Sequence, residues 1–347
     1  MKKTKPAAHI RGAEEYDRSG MLGIIKSFQE QCRDAKRIGY EFRLPQGFGT
    51  KFSNIVCAGL GGSAIGADLV GSYLSGELEI PLSVSRDYKL PGFACDRTLA
   101  VISSYSGDTE ETLSSYHDAK ARGCSIVAIT SGGKLSKLAA EDGLPVINIP
   151  GALPPRTALG YSFFTTLILL SKAGLVKDKA PSIDEAINGL KKPRKEEAAK
   201  IASRLYGKLP VIYGSEGHLR AVVTRWRGQI AENSKTLASS HLFPEMSHNE
   251  IVGWQEPRGV LKDTAVIMLR DRDDHSRVSK RMDVVKRMLA KKKIDVIEAR
   301  SSGKGLLDRM FSLLYMADYV SFYLAVMNKV DPTPVDSIVQ LKRKLSR

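Results

Sequence analysis

One order of secondary-structure signals occurs twice along the chain, and this repetition constrains the fold more than any other feature. Each copy begins with a short apolar run, at 54–58 in the first copy and at 210–214 in the second, followed by a loop and a helical pattern. Further apolar runs then alternate with helices. Alternation of this kind is typical of a parallel sheet covered by helices on both faces. We therefore predict an α/β fold with two copies of one doubly wound unit.

The length of 347 residues suits about two domains. Within them we expect helices at 19–37 and 182–206, a glycine-rich turn at 59–66 leading into a helix at Ala67, and an irregular loop at 241–254. The predicted organisation is an N-terminal helical segment at 1–40, a first α/β domain at 41–150, a helical connection at 151–206, a second α/β domain at 207–330 and a C-terminal segment at 331–347.

Two loops of the first copy are suited to binding an anion. The glycine-rich turn GLGGSAIG lets backbone N–H groups approach an anion closely at the start of a helix, where the dipole favours negative charge. The loop SSYSGDTEET, which directly follows an apolar strand, adds hydroxyl donors. In a parallel sheet, loops at the carboxyl ends of strands line the ligand crevice. The candidate phosphate-binding residues are Gly61, Gly62, Ser63, Ser104, Ser106 and Thr109.

Helix capping is the alternative explanation of these hydroxyls. Ser106 or Thr109 could serve as an N-cap, with Glu110 or Glu111 completing a capping box. The glycine turn matches neither the P-loop nor the dinucleotide spacing, so a terminal phosphomonoester, as on a sugar, is the anion we expect. The second copy carries RDRDDHSR in place of SSYSGDTEET, which indicates that it has lost the anion-binding loop.

A second group of polar residues lies in the other half of the chain. A helix that ends near Lys235 contains Glu232 after an apolar pair, and the following loop contains His248 next to Trp254. Polar residues between buried anchors in a loop are typical of a functional site. A purely structural role is the alternative for each residue. Glu232 could be a surface carboxylate that pairs with an arginine, and His248 could form a hydrogen bond within the loop or cap a helix.

Composition limits the kinds of partner and the cellular compartment that we expect. The net charge of +15 is spread along the chain and favours the binding of anionic metabolites. The chain has no zinc-finger or RNA-binding signature, so we do not expect a nucleic-acid partner. The apolar runs fall short of the roughly 20 residues that span a bilayer. The N-terminus lacks the apolar region of a secretory signal, so we expect a cytoplasmic protein with its four cysteines reduced and no metal site.

Seven segments resemble the bifunctional phosphoglucose/phosphomannose isomerase family, whose members contain sugar isomerase (SIS) domains. The likeness runs in order from about residue 40 to the C-terminus, and its most specific parts are AENSK and PEMSHNE. The segments are GLGGSAIGADL, SSYSGDTEETL, ITSGGKL, PPRTALG, RWRGQIAENSK, PEMSHNEIVGW and DPTPVDSIVQLKRKL. The resemblance implies two SIS-type sheets related as an internal repeat.

The resemblance also implies roles for individual residues. The six loop residues named above would hold the sugar phosphate, and Arg156 would stabilise negative charge near C1 and C2. Glu232 would be the base that moves the proton between these carbons. His248 would assist ring opening, with Lys342 as its helper. The resemblance also implies a homodimer. In such a dimer, His248 could be contributed to the active site of the partner subunit. No cofactor and no metal is implied.

Three functions are compatible with the phosphate loops. The first is an isomerase that interconverts glucose 6-phosphate and fructose 6-phosphate, and also mannose 6-phosphate. The second is a phosphosugar-sensing regulator, which would need the loops but no base such as Glu232. The third is an isomerase of amino sugars or arabinose phosphate, in which the PEMSHNE segment is not expected.

Overall fold

The structure, a computed structural model, describes residues 13–49 and 51–345 as two compact units. The five-stranded unit comprises Ser27–Lys191 and Lys304–Asp308. The four-stranded unit comprises the described residues 13–26, Lys192–Gly303 and 309–345. Residues 1–12, Thr50 and 346–347 lie outside the described residues. The described residues therefore exclude part of the N-terminal segment predicted at 1–40 and part of the C-terminal segment predicted at 331–347. They also exclude most of the N-terminal stretch in which we expect no secretory signal.

The first half of the chain alternates strands and helices from residue 54 onward. Its helices are α1 (Ala13–Tyr16), α2 (Met21–Lys26), α3 (Phe28–Glu41), α4 (Gly61–Tyr73), α5 (Glu110–Ala121), α6 (Gly133–Glu141), a 3-10 helix (Pro155–Thr157), α7 (Leu159–Lys172) and α8 (Ala180–Gly189). Its strands are β1 (Asn54–Ala58), β2 (Leu82–Ser85), β3 (Thr98–Ser104), β4 (Ser125–Thr130) and β5 (Val146–Asn148).

The five strands form one parallel sheet in the order β2-β1-β3-β4-β5. Strands β1 and β3 are buried along their whole length, as expected for central strands covered on both faces. In this order the chain leaves β1 toward one edge and returns to β3 on its other side. The resulting switch point lies between β1 and β3, where open α/β sheets bind ligands at the carboxyl ends of the strands.

The second half repeats the pattern. Its helices are α9 (Lys195–Leu205), α10 (Arg220–Ser234), a 3-10 helix (Glu245–His248), α11 (Glu250–Gly253), α12 (Arg258–Leu261), α13 (Ser276–Lys291), α14 (Leu306–Met327) and α15 (Asp336–Leu345). Its strands are β6 (Leu209–Ser215), β7 (Ser239–Phe243), β8 (Thr264–Arg270) and β9 (Asp295–Arg300), paired in parallel in the order β7-β6-β8-β9.

The two sheets therefore share one strand order over four strands, and the predicted α/β fold with an internal repeat is confirmed. In this correspondence β6 is the counterpart of β1, and β8 is the counterpart of β3. The loop RDRDDHSR after β8 thus occupies the position that SSYSGDTEET occupies after β3.

Several predicted boundaries are wrong. The helix expected at 19–37 is two helices, α2 and α3, and that expected at 182–206 is also two, α8 and α9, which leave Pro193 between them. The segment 241–254 is not irregular, because it contains the end of β7, a 3-10 helix and α11. The helical connection proposed for 151–206 is divided, with α9 in the four-stranded unit.

The helix α14 corrects the expectation about membrane-spanning length. It has 22 residues and an 18-residue window of mean hydropathy 1.4, which would suffice by length and composition to cross a membrane. However, 89% of that window is buried inside the protein, as in the core helix of a globular fold. The cysteines follow expectation: all four are free thiols, and Cys57 and Cys124 are buried.

A buried charge cluster lies at the carboxyl ends of β6, β8 and β9. Asp271 accepts hydrogen bonds from Arg309 Nε at 2.9 Å and from Ser301 Oγ at 2.5 Å, and His218 Nε2 lies 3.4 Å away. Asp274 accepts a hydrogen bond from Ser215 Oγ at 2.5 Å. Burial alone would raise the pKa of Asp271, but the neighbouring His218 and the hydrogen bonds from Arg309 and Ser301 outweigh burial and hold that pKa well below its ordinary value.

We expect Asp271→Asn to lower the free energy of unfolding by about 3–5 kcal/mol at neutral pH, because it leaves Arg309 buried without its principal counter-charge. A lowered pKa in the folded state stabilises the protein above the unfolded-state pKa of about 3.9, and this stabilisation is lost as the pH falls below it. The difference between the wild type and the variant, measured by denaturant unfolding, should therefore shrink in acid.

The control is Asp273→Asn, which removes a carboxylate that also contacts Arg309 but is 60% exposed. It should destabilise the protein far less. Equal losses for the two variants would contradict the structural role assigned to Asp271.

Candidate active site

The two predicted phosphate loops lie side by side in the five-stranded unit. The glycine-rich segment follows β1 and the hydroxyl-rich loop follows β3, and these strands are parallel neighbours with Ala58 paired to Ile102. Ser63 Oγ accepts a hydrogen bond from the N–H of Tyr105 at 3.1 Å, which joins the two segments directly. Both therefore line the switch point of the sheet.

The glycine-rich segment is the first turn of α4 and not a turn before it, which corrects the predicted helix start at Ala67. The helix begins at Gly61 with φ +52, a left-handed conformation that favours glycine. Among the described residues, the N–H groups of Gly61 and Gly62 have no hydrogen-bond partner. These unbonded donors at the positive end of a 13-residue helix are suited to an anion.

Two glycines of this segment are required by packing. A side chain at Gly62 would meet the carbonyl carbon of Pro155 at 2.8 Å, and one at Gly66 would meet Cβ of Ser162 at 2.7 Å. The start of α4 therefore packs closely against the 3-10 helix that contains Arg156. Sequence reasoning explained these glycines only by approach to a ligand, because packing partners that lie far away along the chain leave no local signal.

The hydroxyls of the second loop divide into two kinds. Ser104 is 2% exposed, and its Oγ accepts the N–H of Gly107 at 3.1 Å and donates to Thr109 Oγ1 at 3.0 Å. Ser106 is exposed, and its Oγ accepts the N–H of Asp108 at 3.3 Å. Ser104 therefore organises the loop from inside, whereas Ser106 also faces solvent.

The capping alternative is only partly supported for Thr109. This residue does stand at the N-cap position of α5, but its side chain makes no capping hydrogen bond. Its hydroxyl is instead bonded to Ser104. The first N–H groups of α5 are therefore not satisfied by the Thr109 side chain, and they point toward the same end of the sheet as those of α4.

A third loop, which the sequence analysis did not assign to the site, holds the hydroxyl loop in place. Ser131 donates from Oγ to the carbonyl of Tyr105 at 2.6 Å, and Leu135 donates its N–H to the carbonyl of Gly107 at 2.9 Å. A side chain at Gly107, which has φ +74, would collide with the backbone of Gly132. The sequence did contain a signal for this role. The segment ITSGGKL follows β4, and β4 is the neighbour of β3 in the sheet, so its loop ends beside the hydroxyl loop.

Arg156 lies in the same unit as the phosphate loops. It is 3% exposed and sits in the 3-10 helix beside the start of α4. A hypothetical Cβ at Gly62 would lie 3.2 Å from the backbone nitrogen of Arg156. The structure therefore brings this predicted residue next to Gly62.

Glu232 lies in the four-stranded unit, on the last turns of α10, and is half-buried. Burial lowers the pKa of the nearby Arg225 guanidinium, and the carboxylates of Asp318 and Glu232 act in the opposite direction. Glu232 is therefore electrostatically coupled to a buried cation. This coupling is compatible with both interpretations of Glu232, as an arginine partner and as a reactive base.

The residues around Glu232 are fixed by α14. Asn233 donates from Nδ2 to Ser321 Oγ at 2.9 Å, and Ser234 accepts through its carbonyl from Asn328 Nδ2 at 2.9 Å. Lys235 closes the helix in a left-handed conformation with φ 55, and its Nζ donates to the carbonyl of Glu232 at 2.6 Å. The AENSK segment thus uses its Asn, Ser and Lys to hold the helix end on which Glu232 stands.

His248 is exposed at the end of the 3-10 helix that follows β7. Capping in this segment is done by its neighbour Asn249, whose side chain accepts the N–H of Glu250 at 2.5 Å. Glu250 in turn accepts a hydrogen bond from the buried Tyr213, which also accepts one from Trp254 Nε1 at 2.9 Å. The neighbours of His248 therefore anchor the segment and leave its imidazole at the surface.

Lys342 lies on α15, a helix without buried residues. Its side chain forms no hydrogen bond or ion pair with the described part of the chain. Among residues 13–49 and 51–345, no group of three or more His, Cys, Asp or Glu side chains is arranged to hold a metal ion.

Comparison with solved structures defines the class of fold. A hypothetical protein of Thermus thermophilus matches with a TM-score of 0.72 and 18% identity, over 98% of this chain and 96% of the other. The C-terminal domain of glucosamine-fructose-6-phosphate aminotransferase from Francisella tularensis matches with a TM-score of 0.65 and 16% identity, over 90% and 98%. At these identities the likeness concerns the fold alone, which is an α/β fold with two parallel sheets.

Sequence comparison then assigns the family. Residues 194–345 match the model of the bacterial phospho-glucose isomerase C-terminal SIS domain. A bifunctional phosphoglucose/phosphomannose isomerase of Caldicellulosiruptor bescii is 43% identical over 336 residues, which cover 94% of this chain and 99% of the relative. The chain belongs to the bifunctional phosphoglucose/phosphomannose isomerase family. These relatives carry the names of isomerases, so the regulator hypothesis receives no support from them.

We expect Ser106→Ala to weaken the binding of inorganic phosphate about tenfold or more with little loss of stability, because it removes an exposed hydroxyl donor. Ser104→Ala should weaken binding and also lower the melting temperature, because Ser104 holds the loop from inside. Calorimetric titration and thermal unfolding measure the two effects.

Ser114→Ala, in the middle of α5, is the control and should change neither quantity. Unchanged phosphate affinity in both loop variants would mean that these hydroxyls serve only the local structure.

Proposed function

We propose that this protein is an aldose–ketose isomerase that interconverts glucose 6-phosphate and fructose 6-phosphate, and mannose 6-phosphate and fructose 6-phosphate. The observation that carries the proposal is the 43% identity to a bifunctional phosphoglucose/phosphomannose isomerase over almost the full length of both chains. These substrates would place the protein in glycolysis and gluconeogenesis, as a cytoplasmic enzyme.

In this proposal the substrate phosphate binds at the β1/β3 switch point. The N–H groups of Gly61 and Gly62 and the exposed Ser106 hydroxyl supply hydrogen-bond donors, and the helix dipole adds favourable charge. Ser63, Ser104 and Thr109 complete the phosphate site and fix its shape through their contacts with the loop backbone. Phosphate recognition of this kind positions the sugar but does not by itself move a proton.

The proposed proton transfer requires a base and a cation. Glu232 is the base that removes the proton from one of the carbons C1 and C2 and returns it to the other, which requires an approach of about 3 Å. Negative charge develops on the enediolate oxygen during this transfer. Arg156 stabilises it, because a guanidinium stays protonated throughout the reaction. Interactions that strengthen only as charge develops accelerate the step.

Cyclic substrates must first open. We assign this step to His248, whose imidazole can relay a proton between the ring oxygen and O1 near neutral pH. Lys342 is its proposed helper. The proposal includes a homodimer, with His248 able to serve the partner's site. Its support is the apolar side of α15, where Ile338, Val339 and Leu341 are 43%, 60% and 59% exposed. Apolar residues clustered at a surface are typical of an interface.

The direct test is incubation of the purified protein with fructose 6-phosphate, with separate assays for glucose 6-phosphate and mannose 6-phosphate over time. We expect both products. Glucose 6-phosphate alone would restrict the enzyme to one substrate pair. If neither product forms while fructose 6-phosphate still binds to the folded protein, the isomerase proposal fails.

We expect Glu232→Gln to lower kcat by about 10²–10⁴-fold, the range that a positioned general base contributes. Fructose 6-phosphate affinity and melting temperature should change little, because glutamine keeps the shape of the side chain. The alternative role, a counter-charge for the buried Arg225, would instead lower stability and leave kcat nearly unchanged. Glu216→Gln, at a carboxylate exposed before α10, is the matched control.

A further inference from the structure

A second candidate anion site lies within the four-stranded unit and includes none of the residues assigned above to phosphate binding. It is a pocket of about 330 Å³ between α13 and the segment that contains the 3-10 helix and α11. Besides Ser247, three cations and three apolar side chains line it: Arg277, Lys280, Arg281, Ile251, Val284 and Val285. We propose that this basic pocket binds a small organic phosphate that carries an apolar group.

The three cations lack internal counter-charges. None of them forms an ion pair with a carboxylate in the described part of the chain. They lie at positions i, i+3 and i+4 of one helix, so their side chains crowd on one face, where like charges are destabilising. An anion in the pocket would relieve this repulsion.

The position of the cations along the helix adds a second unfavourable term. Arg277 lies in the first turn of α13, which contains no acidic residue. Cations are disfavoured there because the N-terminal end of a helix dipole is positive. The positive end of the helix dipole and the cationic side chains both attract an anion. Because both features destabilise the helix itself, helix stability does not account for these cations.

One of the cations is held at the pocket by a defined contact. Arg281 donates from Nη1 to Ser247 Oγ at 3.2 Å, and Ser247 Oγ donates to the carbonyl of Pro244 at 2.5 Å. The guanidinium is therefore oriented before a ligand arrives. Its planar fork suits two oxygens of one phosphate group.

The apolar side of the pocket selects the rest of the ligand. Val285 is buried, whereas Val284 is 39% exposed, and Ile251 is half-buried beside them. A fully hydrated inorganic anion would leave this surface uncovered. A phosphate ester with a small carbon skeleton would cover it and gain from the removal of apolar surface from water.

The experiment is a calorimetric titration with phenyl phosphate, in excess fructose 6-phosphate so that the β1/β3 loops are occupied. We expect one bound phenyl phosphate per chain, with inorganic phosphate binding more weakly. Arg277→Ala with Arg281→Ala should weaken phenyl phosphate binding about tenfold or more. The matched control, Arg287→Ala with Lys291→Ala, removes the same charge from the same helix outside the pocket and should leave binding unchanged.

A further variant tests the apolar contact. Val284→Asn should reduce the preference for phenyl phosphate over inorganic phosphate without abolishing binding of either. The proposal is overturned if the wild type binds no phenyl phosphate, or if both double variants bind it as tightly as the wild type does. Equal weakening by both double variants would also overturn it, because only the overall charge would then matter. The comparison between variants does not depend on the isomerase activity.

Discussion

The parallel pairing of β1 with β3 is the constraint on which the candidate site depends. Because the two strands run in the same direction as neighbours, the start of α4 and the hydroxyl loop emerge at one edge of the sheet. The contact from Tyr105 to Ser63 then joins them, and the loop after β4 supports the hydroxyl loop from behind. Each of these contacts fixes backbone rather than a flexible side chain, so the anion-binding donors are in place before a ligand binds.

The two copies of the fold differ in what satisfies the hydrogen-bond donors and positive charge at the carboxyl ends of their strands. In the first copy, the loops at this edge have hydroxyl groups and N–H groups without a bonded partner in the described residues. In the second copy, the equivalent edge is filled by the carboxylates of Asp271 and Asp274, bonded to Arg309, Ser301 and Ser215. The second copy has thus replaced an external anion by internal ones, which agrees with the loss of its hydroxyl loop in the sequence.

Central strands and the repeat were predictable from sequence, whereas features set by distant contacts were not. The strand β1 is found at the predicted residues, because a continuous apolar run has few alternatives in an α/β fold. The strand β7 was missed because Ser239–Phe243 is polar and partly exposed. The start of α4 was misplaced because its glycines meet Pro155 and Ser162, far away in sequence. Similarly, the residue types in the hydroxyl loop predicted its hydrogen-bond donors. They did not indicate that Ser104 is buried while Ser106 is exposed.

The internal carboxylates of the second copy have a consequence for how the two units respond to their surroundings. A ligand that binds only the folded state adds to stability in proportion to the logarithm of its concentration. The five-stranded unit, with its donors open to an anion, should therefore resist heat and proteolysis better when phosphorylated metabolites are abundant. At the equivalent edge, the four-stranded unit has carboxylates that belong to the chain itself, so the stabilisation that they give does not depend on the concentration of a ligand.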